Sequence, residues 1–171
     1  YFTKEDQEMF SENRIVLLEN EDICWNPVEK RMATEQECGN NTEIGNMIRI
    51  GGLATRYDLD WLHAYAAKPG YKILICHHPE YYRRYIKDTE WDTFDLIVSG
   101  HVHGGQWRIG RHGVLAPGQG LFPKYCYGFY DKKLIVSAGL ANTASVPRFG
   151  NPTELVMIHV VAEKYRDKKQ L

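Results

Sequence analysis

The apolar positions of this chain change their period along its length. Residues 47–53 form a strand-length apolar segment that ends on Gly51-Gly52. Leu59, Leu62 and Ala66 then recur at helical spacing, behind Asp58 or Asp60 as a cap and ahead of Pro69-Gly70 as a stop. Residues 71–76 and 94–99 are continuous runs of strand length, as expected of strands buried on both faces. Residues 80–88 between them suit a helix. Strand, helix, strand, helix, strand is the rhythm of an α/β fold.

The flanks are less regular. Thr3 with Asp6 three positions on forms a capping box that starts a helix running to about Asn13. Residues 15–18 read as a strand, with Ile23-Cys24-Trp25 as its partner across a turn at 19–22. Residues 29–46 are polar and read as a loop or an irregular hairpin tip. Beyond His103, Gly and Pro punctuate short segments. Residues 106–109, 113–115, 125–130, 134–136 and 155–160 are candidate strands of an antiparallel region.

Composition narrows the class. Of 171 residues, 43% are hydrophobic and 12% aromatic, which supports a packed core and argues against disorder. The 21 basic and 22 acidic side chains nearly cancel, so no global field recruits nucleic acid. Lys164, Arg166, Lys168 and Lys169 crowd the C-terminus and read as a solvated tail. No apolar run approaches the ~20 residues that span a bilayer. The chain starts at Tyr1, so a targeting segment can lie upstream, and a cytoplasmic or a membrane-associated location both stay open. Cys24, Cys38, Cys76 and Cys126 form no C-x-x-C pair. Cys76 reads as a buried thiol, and a reducing compartment is favoured over a disulfide framework.

Two segments carry candidate chemistry. Cys76-His77-His78-Pro79-Glu80 follows the first buried run, and Ser99-Gly100-His101-Val102-His103-Gly104-Gly105-Gln106 follows the second. In α/β sheets ligands bind beyond the carboxyl ends of the strands, where both segments fall. A neutral imidazole offers a nitrogen to a divalent ion. In extended backbone His101 and His103 would point the same way, into one pocket. Flanking glycines permit close approach of backbone to a ligand. His78 is the spare imidazole, while His63, His112 and His159 read as structural or exposed. Tyr81, Tyr82, Tyr85 and Trp91 read as ordinary packing more readily than as the lining of a lipid-facing entrance.

These two blocks resemble the last two signature blocks of calcineurin-like metallophosphoesterases, in the bacterial subgroup that carries SHHP and GHTHGGQ. Val136-Ser137-Ala138-Gly139-Leu140 and Pro147-Arg148-Phe149-Gly150-Asn151-Pro152 are similar to the tail of the same subgroup. The resemblance is plainest over residues 71–160 and implies a single domain over 1–171, the C-terminal half of a four-layer α/β/β/α sandwich. It implies hydrolysis of phosphate esters (monoester, diester or pyrophosphate) by a hydroxide activated between two divalent ions, Mn, Zn, Fe or Ni. His77 and His101 would bind one ion and His103 the other, with Gly104, Gly105 and Gln106 supporting the site from behind. Arg148 is a candidate phosphate contact, with a surface ion pair as the equal alternative. The subgroup's relatives imply a lipid-linked or nucleotide-sugar phosphate as substrate.

The family's Asp-x-His, Gly-Asp-x-x-Asp and Gly-Asn-His-Asp blocks do not occur in this sequence, and Gly39-Asn40-Asn41 lacks the histidine of the last one. The chain alone is therefore expected to hold at most one partial metal site and to be inactive or nearly so. Core strands missing from such a half predict self-association or strand exchange. The competing readings are a non-catalytic histidine metal-binding domain and a structural half that needs a partner chain.

Overall fold

The computed structural model describes residues 2–40, 47–110, 112–116, 119–141 and 146–161. Helix α1 (Lys4–Glu12) is followed by strands β1 (Glu21–Asn26) and β2 (Arg31–Ala33) and helix α2 (Glu35–Asn40). Next come β3 (Ile48–Leu53), α3 (Leu59–Ala67), β4 (Tyr71–Cys76), a π-helical turn (Tyr82–Ile86) and β5 (Leu96–Ser99). The short strands β6 (Arg108–Ile109), β7 (His112–Gly113), β8 (Leu115–Ala116), β9 (Gly120–Leu121), β10 (Gly128–Tyr130) and β11 (Leu134–Val136) complete the order.

Seven strands form one mixed sheet in the order β10-β11-β5-β4-β3-β1-β2. β3, β4, β5 and β11 are parallel neighbours, and β1, β2 and β10 pair antiparallel. The α/β expectation holds at this level. β10 and β11 extend the same sheet as β4 and β5, which corrects the reading of a wholly antiparallel second sheet. Only β6–β7 and β8–β9 stand apart among the described residues, as two-stranded ribbons.

The helices begin where their caps place them. Thr3 Oγ1 accepts from Asp6 N at 3.1 Å while Asp6 Oδ2 accepts from Thr3 N at 2.7 Å, the reciprocal box that starts α1. Asp58 Oδ1 accepts from Trp61 N at 3.0 Å and starts α3. A second box, Thr34 with Glu37, opens α2 inside the stretch read as loop. Residues 15–18 are extended but pair with no strand. The partner of β1 is instead β3, with Ile23 opposite Ile50, and β2 on its other side. Residues 155–161 also pair with no strand among the described residues. The basic tail and 41–46 lie outside the described residues.

One face of the sheet packs on α3 and the π-helical turn. Register aligns Gly51 with Leu74, Leu74 with Ile97, and Ile97 with Leu134 on that face. Leu62, Tyr65, Ala66, Tyr82 and Ile86 close over them. Gly51 makes room for the Tyr65 ring, since a Cβ there would stand 2.5 Å from Tyr65 Cε1. The Tyr65 hydroxyl donates to Ile73 O at 2.9 Å. Lys72 also points into this layer, and its ammonium donates to Ala66 O at 2.6 Å and Lys68 O at 2.7 Å. These are end carbonyls of α3 that have no partner within the helix. Burial pulls the Lys72 pKa below its ordinary value.

Charge and a disulfide fasten the β1 edge. Buried Asp22 meets Lys68 at 2.8 Å and Arg49 at 3.6 Å, and Glu35 reaches both cations. Cys24 in β1 is bonded to Cys38 in α2, while Cys76 and Cys126 are buried free thiols. The Cys24–Cys38 bond departs from the expectation that the cysteines are reduced.

The opposite face of the sheet is also apolar, and it stays open. Ile75 is 47% exposed and Phe129 62%, with Ile50, Ile73, Val98 and Ile135 half-buried around them. The expectation that the 71–76 run is buried on both faces is thus corrected: β4 alternates, with Lys72, Leu74 and Cys76 buried and Tyr71 and Ile75 exposed.

The contact between Gly51 and Tyr65 gives a test of the packed face. Gly51→Ala should cost about 1–3 kcal/mol through overpacking. Tyr65→Leu in the same chain should cost less than the sum of the two single changes, because the smaller side chain vacates the space. Denaturant unfolding of the two single variants and the double variant measures the coupling; strict additivity would refute it.

Candidate metal centre

The two histidine segments meet because β4 and β5 are parallel and in register. Ile75 lies opposite Val98, and Gly100 N donates to His77 O at 3.2 Å, carrying the pairing one step past the sheet. His77 and His78 leave β4 beside His101, which leaves β5. The turn after β5 is not extended. His101, His103 and Gln106 have φ of 63°, 47° and 43°, with Gly104 and Gly105 at 69° and 80°. Non-glycine residues are held there only when their surroundings over-determine them. Val102, fully buried between the two histidines, supplies one such anchor. The aim of His101 and His103 therefore comes from a left-handed coil, which corrects the expectation of alternation along a strand.

His101 Nδ1 lies 3.2 Å from His77 Nε2. The His78 ring lies 3.9 Å from that of His101, centroid to centroid, and Tyr81 stacks on the His78 ring at 4.8 Å. His78 Nδ1 contacts Glu80 Oε1 at 3.1 Å. Among the described residues, His78, Glu80 and His101 present one donor atom each within 4.8 Å of one another. Glu80 Oε2 is buried with no hydrogen-bond partner, so the carboxylate has an acceptor to spare at this cluster. Two nitrogens bound to one tetrahedral zinc at ~2.0–2.1 Å would sit roughly 3.3 Å apart, close to the separation between His77 and His101. The donor set of imidazoles with one carboxylate fits a borderline-soft divalent ion.

Burial and neighbouring rings favour the neutral form of His77 and His101, the form that ligates. Burial, then the neighbouring His78 and His77, pulls the His101 pKa down to about 4. Burial, then His78 and His103, lowers that of His77. His103 thus acts on both rings, although it is not in the group of three donors.

The remaining sequence candidates surround the turn. Gly104 faces Asn151 so closely that a Cβ would stand 2.3 Å from Asn151 Oδ1. Gly105 likewise abuts Gly113, with 2.6 Å from its ideal Cβ to Gly113 Cα. Gln106 is buried, and its amide donates to Val146 O. The strand expected to begin at Gln106 starts two residues later, at Arg108. Among the described residues Arg148 forms no ion pair, and its Nη1 donates to Pro152 O at 3.4 Å. Its Nη2 donates to Ala138 O and to Ala141 O, each at 2.6 Å, so it clasps the loop after β11. His63 stacks on Trp91, and His112 and His159 are exposed. Tyr82 is core, and Tyr81, Tyr85 and Trp91 pack against it.

Sequence reasoning left out three residues that shape the site. Glu80 stands two positions beyond His78, and the H-x-E spacing was the available signal. His78 itself was set aside as the spare. Asn151 donates to His103 O and, at 3.2 Å, to Gln106 O, tying the C-terminal segment to the turn. It lies in the Pro147-Arg148-Phe149-Gly150-Asn151-Pro152 block, whose residue types do not reveal which of them bonds the turn.

No protein-family model matches the chain, and no solved structure matches it. The chain is similar to the uncharacterized protein YpbG of Bacillus subtilis (strain 168), with 35% identity over 83 residues. The matched stretch is 48% of this chain and 28% of that relative, so the chain spans well under two thirds of the relative's length.

Proposed function

We propose that this chain carries part of the metal site of a phosphate-ester hydrolase of the calcineurin-like metallophosphoesterase type. The observation that supports the reading most directly is the meeting of His77 and His101, at 3.2 Å, beyond the ends of two adjacent parallel strands. In this reading His77 and His101 bind one divalent ion, with His78 and Glu80, which cluster with His101, as the alternative donors, and nitrogen ligation favours zinc or nickel. His103 is the candidate ligand for a second ion, whose other ligands this sequence does not contain. A bound ion of this kind polarises a phosphoryl oxygen and lowers the pKa of a coordinated water. The residues present do the rest: His77 and His101 stay neutral, Glu80 anchors His78, and Asn151 with the two glycines fixes the turn. The four-layer sandwich belongs to the same proposal, with the open face of the sheet as the surface a second layer would cover.

Zinc titration against a competing chelator tests the site. One ion per chain should bind, with proton release below that expected for ordinary histidines. Burial and the neighbouring imidazoles hold the His101 pKa down to about 4, so this ring should stay available to the ion as pH falls from 7 to about 5. His77→Ala and His101→Ala should each weaken binding by about tenfold or more. Affinity that both variants leave unchanged would remove the site. Catalysis is a separate test with p-nitrophenyl phosphate and its bis-ester. The chain alone should stay near background. A longer polypeptide bearing the Asp-x-His and Gly-Asn-His-Asp blocks should hydrolyse one of them when loaded with Mn or Zn, and inactivity there would refute the enzyme reading.

The open face also supports the self-association proposed from sequence. Leu155 and Met157, 78% and 79% exposed, lie in an apolar segment with no strand partner. Exposed apolar residues gathered on one surface mark interaction sites. Light scattering should show the mean mass rising with concentration; a constant monomer mass would rule the association out.

A further inference from the structure

A cleft of about 330 Å³ adjoins the histidine cluster, and the two share Glu80. Its other walls come from the π-helical turn, through Arg83, and from the segment after β9, through Phe122, Lys124 and Tyr125. Gln119 also lines it and stiffens that segment. Its amide nitrogen donates to Tyr125 O at 3.0 Å and its oxygen accepts from Tyr125 N at 3.3 Å.

The polar groups of this cleft are incompletely used. Arg83 and Lys124 are exposed and form no ion pair among the described residues, whereas Lys68, Lys87 and Lys133 each meet a carboxylate. Lys124 instead lies 5.3 Å from the centre of the Tyr125 ring. Tyr125 is 1% exposed, and its buried hydroxyl has no hydrogen-bond partner. A buried hydroxyl without a partner calls for one. The single carboxylate in the lining, Glu80, has one oxygen on His78. Two free cations against one engaged anion give the cleft a positive balance. Phe122, 75% exposed, adds a bare aromatic surface at the rim.

We propose that this cleft takes a second phosphoryl group of the substrate, so that the site selects diphosphates over simple monoesters. Arg83 and Lys124, the two cations that line the cleft, are the specificity-determining groups for the distal phosphoryl group. The catalytic meaning of the cleft rests on the hydrolase reading above, but its occupancy by an anion does not.

The test uses the full chain without metal and reads binding of inorganic pyrophosphate and inorganic phosphate by calorimetry at low salt. Pyrophosphate should bind about tenfold more tightly than phosphate, since it can engage both cations at once. Arg83→Ala and Lys124→Ala should each weaken pyrophosphate binding by about five- to tenfold. Both variants should keep wild-type zinc uptake, which shows that the fold and the histidine cluster are intact. Equal affinity for the two anions, or pyrophosphate affinity indifferent to both substitutions, overturns the proposal. Loss of zinc uptake in the unaltered chain would instead count against the hydrolase reading and leave the cleft standing.

Discussion

The parallel ladder between β4 and β5 joins two segments far apart in sequence, and it is fixed at both ends. At its start Asp95 Oδ2 accepts from Lys72 N at 2.8 Å, and Asp95 N donates to Lys72 O at 3.0 Å. At its far end Gly100 N reaches His77 O. A slip by one residue would turn every side chain to the wrong face and pull His101 away from His77. The Lys72 ammonium adds a tie from the same strand to the end of α3. Register, helix placement and histidine pairing thus share one set of bonds.

What the ladder positions, the C-terminal region holds. Asn151 bonds carbonyls of the histidine turn, and Arg148 bonds carbonyls of the loop after β11. The Arg148 Nη groups and the Asn151 amide nitrogen donate to backbone that has left regular structure, where unpaired carbonyls would otherwise be buried. That explains a polar pair beside an apolar core without assigning either to a ligand. It also explains the glycine at 104: the Asn151 amide occupies the volume any larger side chain would need.

Much of this was legible from local pattern. Capping at Thr3 and Asp58, the β3–α3–β4 rhythm and the meeting of the two histidine blocks follow from short-range chemistry and the rule that sites form at strand ends. The misses have separate causes. Residues 15–18 have strand composition, yet Leu18 crosses Gly52, its carbonyl oxygen 2.5 Å from where a Cβ would stand. The Thr34–Glu37 box was present in the sequence but hidden by a polar surround. Parallel pairing of β11 with β5 is a non-local choice that periodicity cannot reveal. Residues 155–161 have a strand's pattern but pair with no strand among the described residues. Glu80 was overlooked because a carboxylate after a proline reads as the start of a helix, which it also is.

The open apolar face has a kinetic side. Parallel strands form only after their crossover segments are traversed, so this sheet is built from non-local contacts and closes slowly, on the millisecond-to-second scale of such topologies. β11 cannot reach β5 until the whole histidine turn and both short ribbons have been synthesised. Until then Ile75 and its neighbours lack even the lateral shelter of the finished sheet. The yield of native chain is then decided by a race between ladder closure and collision with other nascent chains, and chaperone supply and expression temperature set its outcome.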